Sequence, residues 1–300
     1  MRIGLISDLH VDINEAFPIL ELTAETAGMQ SVDALVIAGD ISETQDQTIK
    51  AVERLQSLCP FPVYYVPGNH DMWNKNCPER RTEEIDRIYR EDPHCLSGRH
   101  IILEKDGRKL ALIGDLGWYD YTMASPEYTE EQLDAMTMDG RTWQDKLFNQ
   151  WTIDNRSQTK RCLRQLEEQL EACGDLPILA VTHMLPVEDF CVPETPGGLK
   201  WGFFNAFLGS TAIEALYKNT LYDMRYAVMF TIAVMFKEMA SLISAHVWGI
   251  TRNGRCISLE ITVRLYISKM HCIFWRRSNP SIAGKCKQHT RKRGQSFAEY

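Results

Sequence analysis

An α/β fold built on a parallel-rich sheet is what this chain predicts, and three observations predict it. Short apolar runs alternate with longer amphipathic ones, and this strand, helix, strand, helix, strand rhythm forces a parallel sheet, because parallel neighbours need a crossover. Four of the apolar runs stop abruptly at a polar exit. Ile3–Ile6 leads to Ser7, Asp8, Leu9 and His10; Ala34–Ala38 to Gly39 and Asp40; Val63–Val66 to Pro67, Gly68, Asn69, His70 and Asp71; Ile178–Val181 to Thr182 and His183. Such near-continuous apolar character belongs to strands buried on both faces. Finally, 300 residues with 44% hydrophobic content are ample for one large core.

Each element follows from its local pattern. Phe17, Leu20, Ala24 and Ala27 recur at helical spacing between Glu15 and Gly28, a glycine suited to a C-cap, so a helix is predicted over 15–28. Ser42, Glu43 and Thr44 open the next helix, with Ile49, Val52, Leu55 and Leu58 on one face and Pro60 as its stop. Glu83 to Arg90 is a short charged helix, and His100 to Glu104 pairs with Lys109 to Ile113 around the turn Asp106-Gly107. The loop from Gly114 to Tyr121 is aromatic and acidic, and reads equally as a substrate wall or as a buried loop. Residues 125–151 are polar with Tyr128, Trp143 and Trp151 interspersed, a connecting or lid segment whose aromatics pack on the body. Asp154 to Ala172 is a long amphipathic helix with Cys162, Leu163, Leu166 and Leu170 facing inward and Gly174 at its end. Pro186 to Leu199 is a Pro- and Gly-rich loop, and a last short helix ends at Tyr217.

The polar exits carry the chemistry. D-x-H at Asp8 and His10, G-D at Gly39-Asp40, G-N-H-D at residues 68–71 and T-H at Thr182-His183 resemble, in order and spacing, the calcineurin-like metallophosphoesterases. The resemblance covers roughly residues 1–218, and it is specific because four separate motifs must each sit at a strand end. It implies a four-layer αββα sandwich and hydrolysis of a phosphomonoester or phosphodiester. In that chemistry two divalent ions ~3.5 to 4 Å apart activate a water and clamp the phosphate oxygens. The ligand types suit Mn, Fe or Zn. Carried over position by position, the resemblance implies that Asp8 and His10 bind the first metal, that Asp40 bridges both, and that Asn69 and His183 bind the second. His70 would donate a hydrogen bond to the phosphate and protonate the leaving oxygen, with Asp71 orienting it. Gly39 and Gly68 would let the backbone turn sharply at the strand ends.

One element of the family pattern is missing. The series should close with G-H-x-H, giving one histidine to each metal, and no such string follows His183. From about Asn219 the chain also changes character: residues 219–300 hold 13 Lys and Arg against 4 Asp and Glu, and strand and helix periods fade. Back-translation suggests a cause. When the third base of each codon is read with the first two of the next, permitted codons from Leu221 to Ala233 spell Val-Arg-Tyr-Ala-Val-Cys-Gly-His-Val-His-Tyr-Arg, and the Val between the two histidines is forced by Met229 followed by Phe230. The expectation is an incomplete metallophosphoesterase domain over 1–218 and an atypical tail over 219–300, out of frame and poorly ordered. Metal affinity and turnover should fall with the two histidines. A phospholigand-binding pseudoenzyme without turnover is the alternative.

Composition narrows the setting. The start lacks a basic segment followed by an apolar stretch and cleavage site, so no signal peptide is expected. The longest apolar run, Tyr226 to Phe236, is too short for a bilayer of ~30 Å at ~1.5 Å per residue, so no membrane partner is expected. Nine cysteines at irregular spacing with no C-x-x-C pair fit reduced thiols and a cytoplasmic location. The expected partner is a phosphoester substrate. Nucleic acid is disfavoured, because the basic tail lacks a face interleaved with aromatics and the body is acidic.

Overall fold

Parallel strands need crossovers on their faces, and the computed structural model, which describes residues 1–221 and 227–231, supplies them. β1 (Ile3–Ile6), α1 (Ile19–Met29), β2 (Ala34–Ala38), α2 (Gln45–Leu58) and β3 (Val63–Val66) build a parallel sheet in the order β1-β2-β3. After α3 (Thr82–Glu91), β4 (His100–Lys105) and β5 (Arg108–Asp115) form an antiparallel hairpin. Its turn residues Asp106 and Gly107 both have positive φ, as a tight hairpin turn needs. An excursion through α4 (Glu130–Asp134), β6 (Thr137–Met138), β7 (Arg141–Thr142) and α5 (Asp145–Phe148) leads to α6 (Asn155–Cys173). Then come β8 (Ile178–Thr182), α7 (Trp201–Phe204), α8 (Thr211–Leu221) and β9 (Ala227–Thr231). The second sheet runs β4-β5-β8-β9, with β8 parallel to both β5 and β9.

Side-chain alternation sorts the faces into layers. Leu35 and Ile37 of β2 and Val63 and Tyr65 of β3 pack with Ala24 and Ala27 of α1 and with Ala51, Val52 and Leu55 of α2. On the second sheet, Ala111 and Ile113 of β5 and Ile178 and Ala180 of β8 pack with Leu170 and Cys173 of α6 and Ile213 and Tyr217 of α8. The alternate residues Val36, Leu112, Leu179 and Val181 are also buried, and they face the opposite sheet. Burying each such side chain stabilises by about 1.5–3 kcal/mol. Gly114 marks how close the sheets come: a Cβ there would lie 2.6 Å from Val66 Cγ1. The result is helix, sheet, sheet, helix, the four-layer sandwich that the sequence implies.

Several boundaries differ from the sequence reading. The first helix starts at Ile19 and not Glu15, because Pro18 restricts the residue before it and begins the helix instead. Phe17 is left partly exposed, and the left-handed residue after the helix is Ser31, so Gly28 is not the cap. The loop from Gly114 to Tyr121 is core: Trp118 and Tyr119 are buried and stack on one another, which removes the substrate-wall reading. α8 continues past Tyr217 to Leu221, and Ala227–Thr231 forms β9 inside the stretch read as having lost its periods. Its sequence signal is the apolar run that starts at Tyr226. The other expectations for residues 219–300 fall mainly outside the described residues. No helix among the described residues is long and apolar enough to cross a membrane.

Candidate metal centre

All three strands of the first sheet, and β8 of the second, deliver their exits to one place. The exits of β1 and β2 are held together by backbone bonds from Asp8 N–H to the Gly39 carbonyl (2.9 Å) and from His10 N–H to the Asp40 carbonyl (3.0 Å). Asp8, His10 and Asp40 all have positive φ, of 54°, 40° and 52°. A left-handed conformation at a residue with a Cβ costs on the order of 1–3 kcal/mol, and it persists where the surroundings over-determine it. Here it turns three candidate ligands toward one another.

The glycines allow the approach. Gly39 has φ of 84°, and a Cβ on it would stand 2.4 Å from His183 Nδ1. Gly68 is needed for closeness alone, since a Cβ there would meet Asp40 Oδ1 at 2.1 Å.

The ligand atoms converge. His10 Nε2 lies 3.6 Å from Asp40 Oδ2 and 4.0 Å from Asp8 Oδ1. His183 Nε2 lies 3.3 Å from Asp40 Oδ1 and 3.0 Å from Asn69 Oδ1. All five residues assigned to metal binding by resemblance are therefore neighbours. His10, Asp40 and His70 also bring one ligand atom each within 4.8 Å of one another, a group able to hold a cation. His10 Nδ1 is buried without a hydrogen-bond partner.

Tautomers sharpen this. His183 Nδ1 lies 2.8 Å from the Ala38 carbonyl, which can only accept, so Nδ1 carries the proton. Asn69 Nδ2 donates to Asp145 Oδ1 at 2.9 Å, which turns Asn69 Oδ1 inward. In the neutral ring, Nε2 of His183 is an acceptor that faces two others, Oδ1 of Asn69 at 3.0 Å and Oδ1 of Asp40 at 3.3 Å. Such a cluster needs either a second proton on His183 or a cation. Imidazole, carboxylate and amide oxygen donors suit a borderline divalent ion, so the residues present fit one.

Charge states follow from the surroundings. Burial pushes the Asp40 carboxyl up to about 7, against the pull of His183 and His10. Burial alone would lower His183, but the carboxylates of Asp40 and Asp8 push it above its ordinary value. His70 is driven well below its ordinary value by burial, and further by His10, His183 and Lys75. It is a neutral imidazole at pH 7.

His70 stacks on Trp73 at 3.7 Å between centroids, and its backbone N–H donates to Asp40 Oδ1 at 3.1 Å. Asp71 does not orient it. The Asp71 carboxylate is fully buried and accepts from the backbone N–H groups of Ile41, Ser42 and Gly68 and from the Thr48 hydroxyl. Its task is to clamp the exits of β2 and β3 together, and successive residues project in different directions. Two carboxylates flank the His70 ring, Asp40 with Oδ2 3.9 Å from Nε2 and Glu43 with Oε1 4.0 Å from Nδ1, and Lys75 pairs with Glu43 Oε2 at 2.7 Å. Glu43 and Lys75 were missed by sequence reasoning. The signal for Glu43 was its place three residues after Asp40.

Comparison with known proteins agrees with this geometry. The profile of the calcineurin-like phosphoesterases matches residues 1–183. An uncharacterized protein of Acanthamoeba polyphaga mimivirus is 23% identical over 198 residues, 62% of this chain, and the chain spans 62% of the length of that relative. The crystal structure of phosphopantetheinyl hydrolase (PptH) from Mycobacterium tuberculosis superposes with a TM-score of 0.60 at 17% identity, covering 80% of this chain and 85% of that one. A dimetal phosphatase from Danio rerio gives 0.39 at 13% identity, over 76% of this chain and 80% of that one. The likeness to phosphopantetheinyl hydrolase is one of fold. With its family profile spanning more than half the chain and its motif residues gathered in one place, this chain belongs to the calcineurin-like phosphoesterases.

Proposed function

We propose that this chain is a metal-dependent phosphoesterase that uses two divalent ions, Mn, Fe or Zn, to hydrolyse a phosphomonoester or phosphodiester. The observation that carries the reading is the pair of oxygen acceptors, Asn69 Oδ1 and Asp40 Oδ1, at 3.0 and 3.3 Å from His183 Nε2. Asp8, His10 and Asp40 would hold one ion, and Asp40, Asn69 and His183 the other. Bound there, the ions supply a nucleophilic water at neutral pH and offset charge on the phosphoryl oxygens. His70, ringed by Trp73 and Glu43, is placed to donate a hydrogen bond to the phosphate and pass a proton to the leaving oxygen. Because His70 is neutral when the site is empty of substrate, an incoming phosphate anion must first raise its proton affinity. A cytoplasmic setting is supported by the free thiols of Cys59, Cys77, Cys95, Cys162, Cys173 and Cys191.

The missing G-H-x-H favours impaired turnover, and in the extreme a phospholigand-binding pseudoenzyme. The experiment is hydrolysis of chromogenic mono- and diester phosphates with added Mn, comparing this chain with one whose shifted frame restores Gly-His-Val-His. The restored chain is expected to be faster by at least about tenfold, the loss that even outer partners of a metal ligand cause. Equal turnover would remove the impairment, and no Mn binding by either chain would remove the metal reading.

Metal binding should also depend on pH. With the folded Asp40 raised above its unfolded value, its charge is penalised in the metal-free fold as pH rises from about 4 toward about 7. A cation relieves that penalty, whereas at low pH it must displace the protons on Asp40 and His183. The rise in Tm caused by Mn is expected to be larger at pH 8 than at pH 5. Equal shifts in calorimetry at the two values would refute the assignment.

A further inference from the structure

Asp145 lies on α5, in the segment that the sequence marks only as a connection or lid, and it is 2% exposed. Its Oδ1 accepts from Asn69 Nδ2 (2.9 Å), Trp73 Nε1 (2.7 Å) and Asn149 Nδ2 (3.1 Å), and its Oδ2 accepts from Trp143 Nε1 (2.8 Å). No lysine or arginine pairs with it among the described residues. A buried carboxylate held by neutral donors alone is an expensive way to fill space, since an amide or an apolar group would avoid the desolvation. It has one property that an amide lacks: an ionised carboxylate is acceptor-only on both oxygens.

That property matters beside an asparagine. The two ends of the Asn69 side chain are nearly the same size, so packing hardly distinguishes which end faces inward. An acceptor-only partner on the outer side forces the NH₂ outward and the oxygen inward. Asn69 Oδ1 then stands 3.0 Å from His183 Nε2. Asn149, itself bonded to Asp145, also donates from Nδ2 to the Asn69 backbone carbonyl at 3.3 Å, so side chain and main chain of residue 69 are both tied to this hub.

The geometry points to Asp145 as a positioning residue that presents the Asn69 carbonyl oxygen to a divalent cation and thereby ties α5 to the metal site. This rests on the reading of Asn69 as a metal ligand. Trp73, Trp143 and Asn149 converge on the same carboxylate.

The test is Mn affinity, measured on the full chain by isothermal titration calorimetry without substrate. Asp145→Ala is expected to weaken Mn binding by about 10- to 100-fold, the range for an outer partner of a metal ligand. Trp143→Phe removes a donor to Oδ2 without touching Asn69, and is expected to lower Tm while leaving Mn affinity unchanged. Should Asp145→Ala not fold, Asp145→Ser leaves room for water to pair the indole donors while its short hydroxyl cannot reach Asn69, and the same loss is expected. Unchanged Mn affinity in the folded Asp145 variant, or an equal loss in Trp143→Phe, overturns the inference. Absence of Mn binding by the wild-type chain would instead overturn the metal reading beneath it.

Discussion

Asp40→Asn is expected to lower metal-dependent phosphoester hydrolysis by about 10³-fold, because it removes the one carboxylate shared by both halves of the site. Stabilisation of developing charge by a bound metal is worth several kcal/mol, and each ~1.4 kcal/mol is tenfold in rate. The same substitution should leave the metal-free protein as stable as wild type, or more so, at pH 8. Asp40 is buried and its carboxyl is pushed up to about 7 by that burial, so its charge opposes folding until a cation arrives. Asparagine keeps an oxygen for the His70 N–H that now donates to Asp40 Oδ1. Loss of Mn binding together with a retained or raised Tm is therefore the signature. A variant that unfolds, or one that still binds Mn as the wild type does, would count against Asp40 as a shared ligand.

His70→Asn should separate catalysis from metal binding. A positioned proton donor is worth about 10²–10⁴-fold, so kcat is expected to fall by that factor while Mn affinity stays near wild type. The contrast matters because His70 Nε2 lies 3.9 Å from Asp40 Oδ2, within the group of atoms able to hold a cation. If Mn affinity falls along with kcat, His70 is a ligand and the proton must come from elsewhere. The stack on Trp73 gives a second readout, since loss of the imidazole at 3.7 Å from the indole should change the Trp73 fluorescence.

The gathering of the candidate residues was legible because each follows an apolar strand, and a strand end tells where the next residue must go. Asp8, His10, Asp40, Asn69, His70 and His183 gather as their exits imply. Orientation was less legible. Asp71 follows His70 in sequence, yet its carboxylate turns back to backbone N–H groups at residues 41, 42 and 68, and the acids beside the imidazole are Asp40 and Glu43. Asp145 had no signal at all: it sits in a polar stretch, 76 residues from Asn69, and only the fold brings the two together. Pro18 could have corrected the start of α1, since the rule for the residue before proline is local. β9 was harder to see, because a run of four apolar residues means more beside β8 than the same run read alone.

Asp8, His10, Asp40 and Asn69 come from the first 69 residues, whereas His183 waits on β8 and anchors its ring to the Ala38 carbonyl of the first sheet. During synthesis the early ligands leave the ribosome long before the last one exists. An emerging chain can therefore pair β1, β2 and β3 locally while the candidate site at their ends stays open on one side. Closure comes only when the second sheet docks, a contact across 145 residues that must be made late and held against its own loop entropy. A cation trapped there would act as a seal on that seam, stabilising the finished chain over every shorter nascent form by the free energy of its binding.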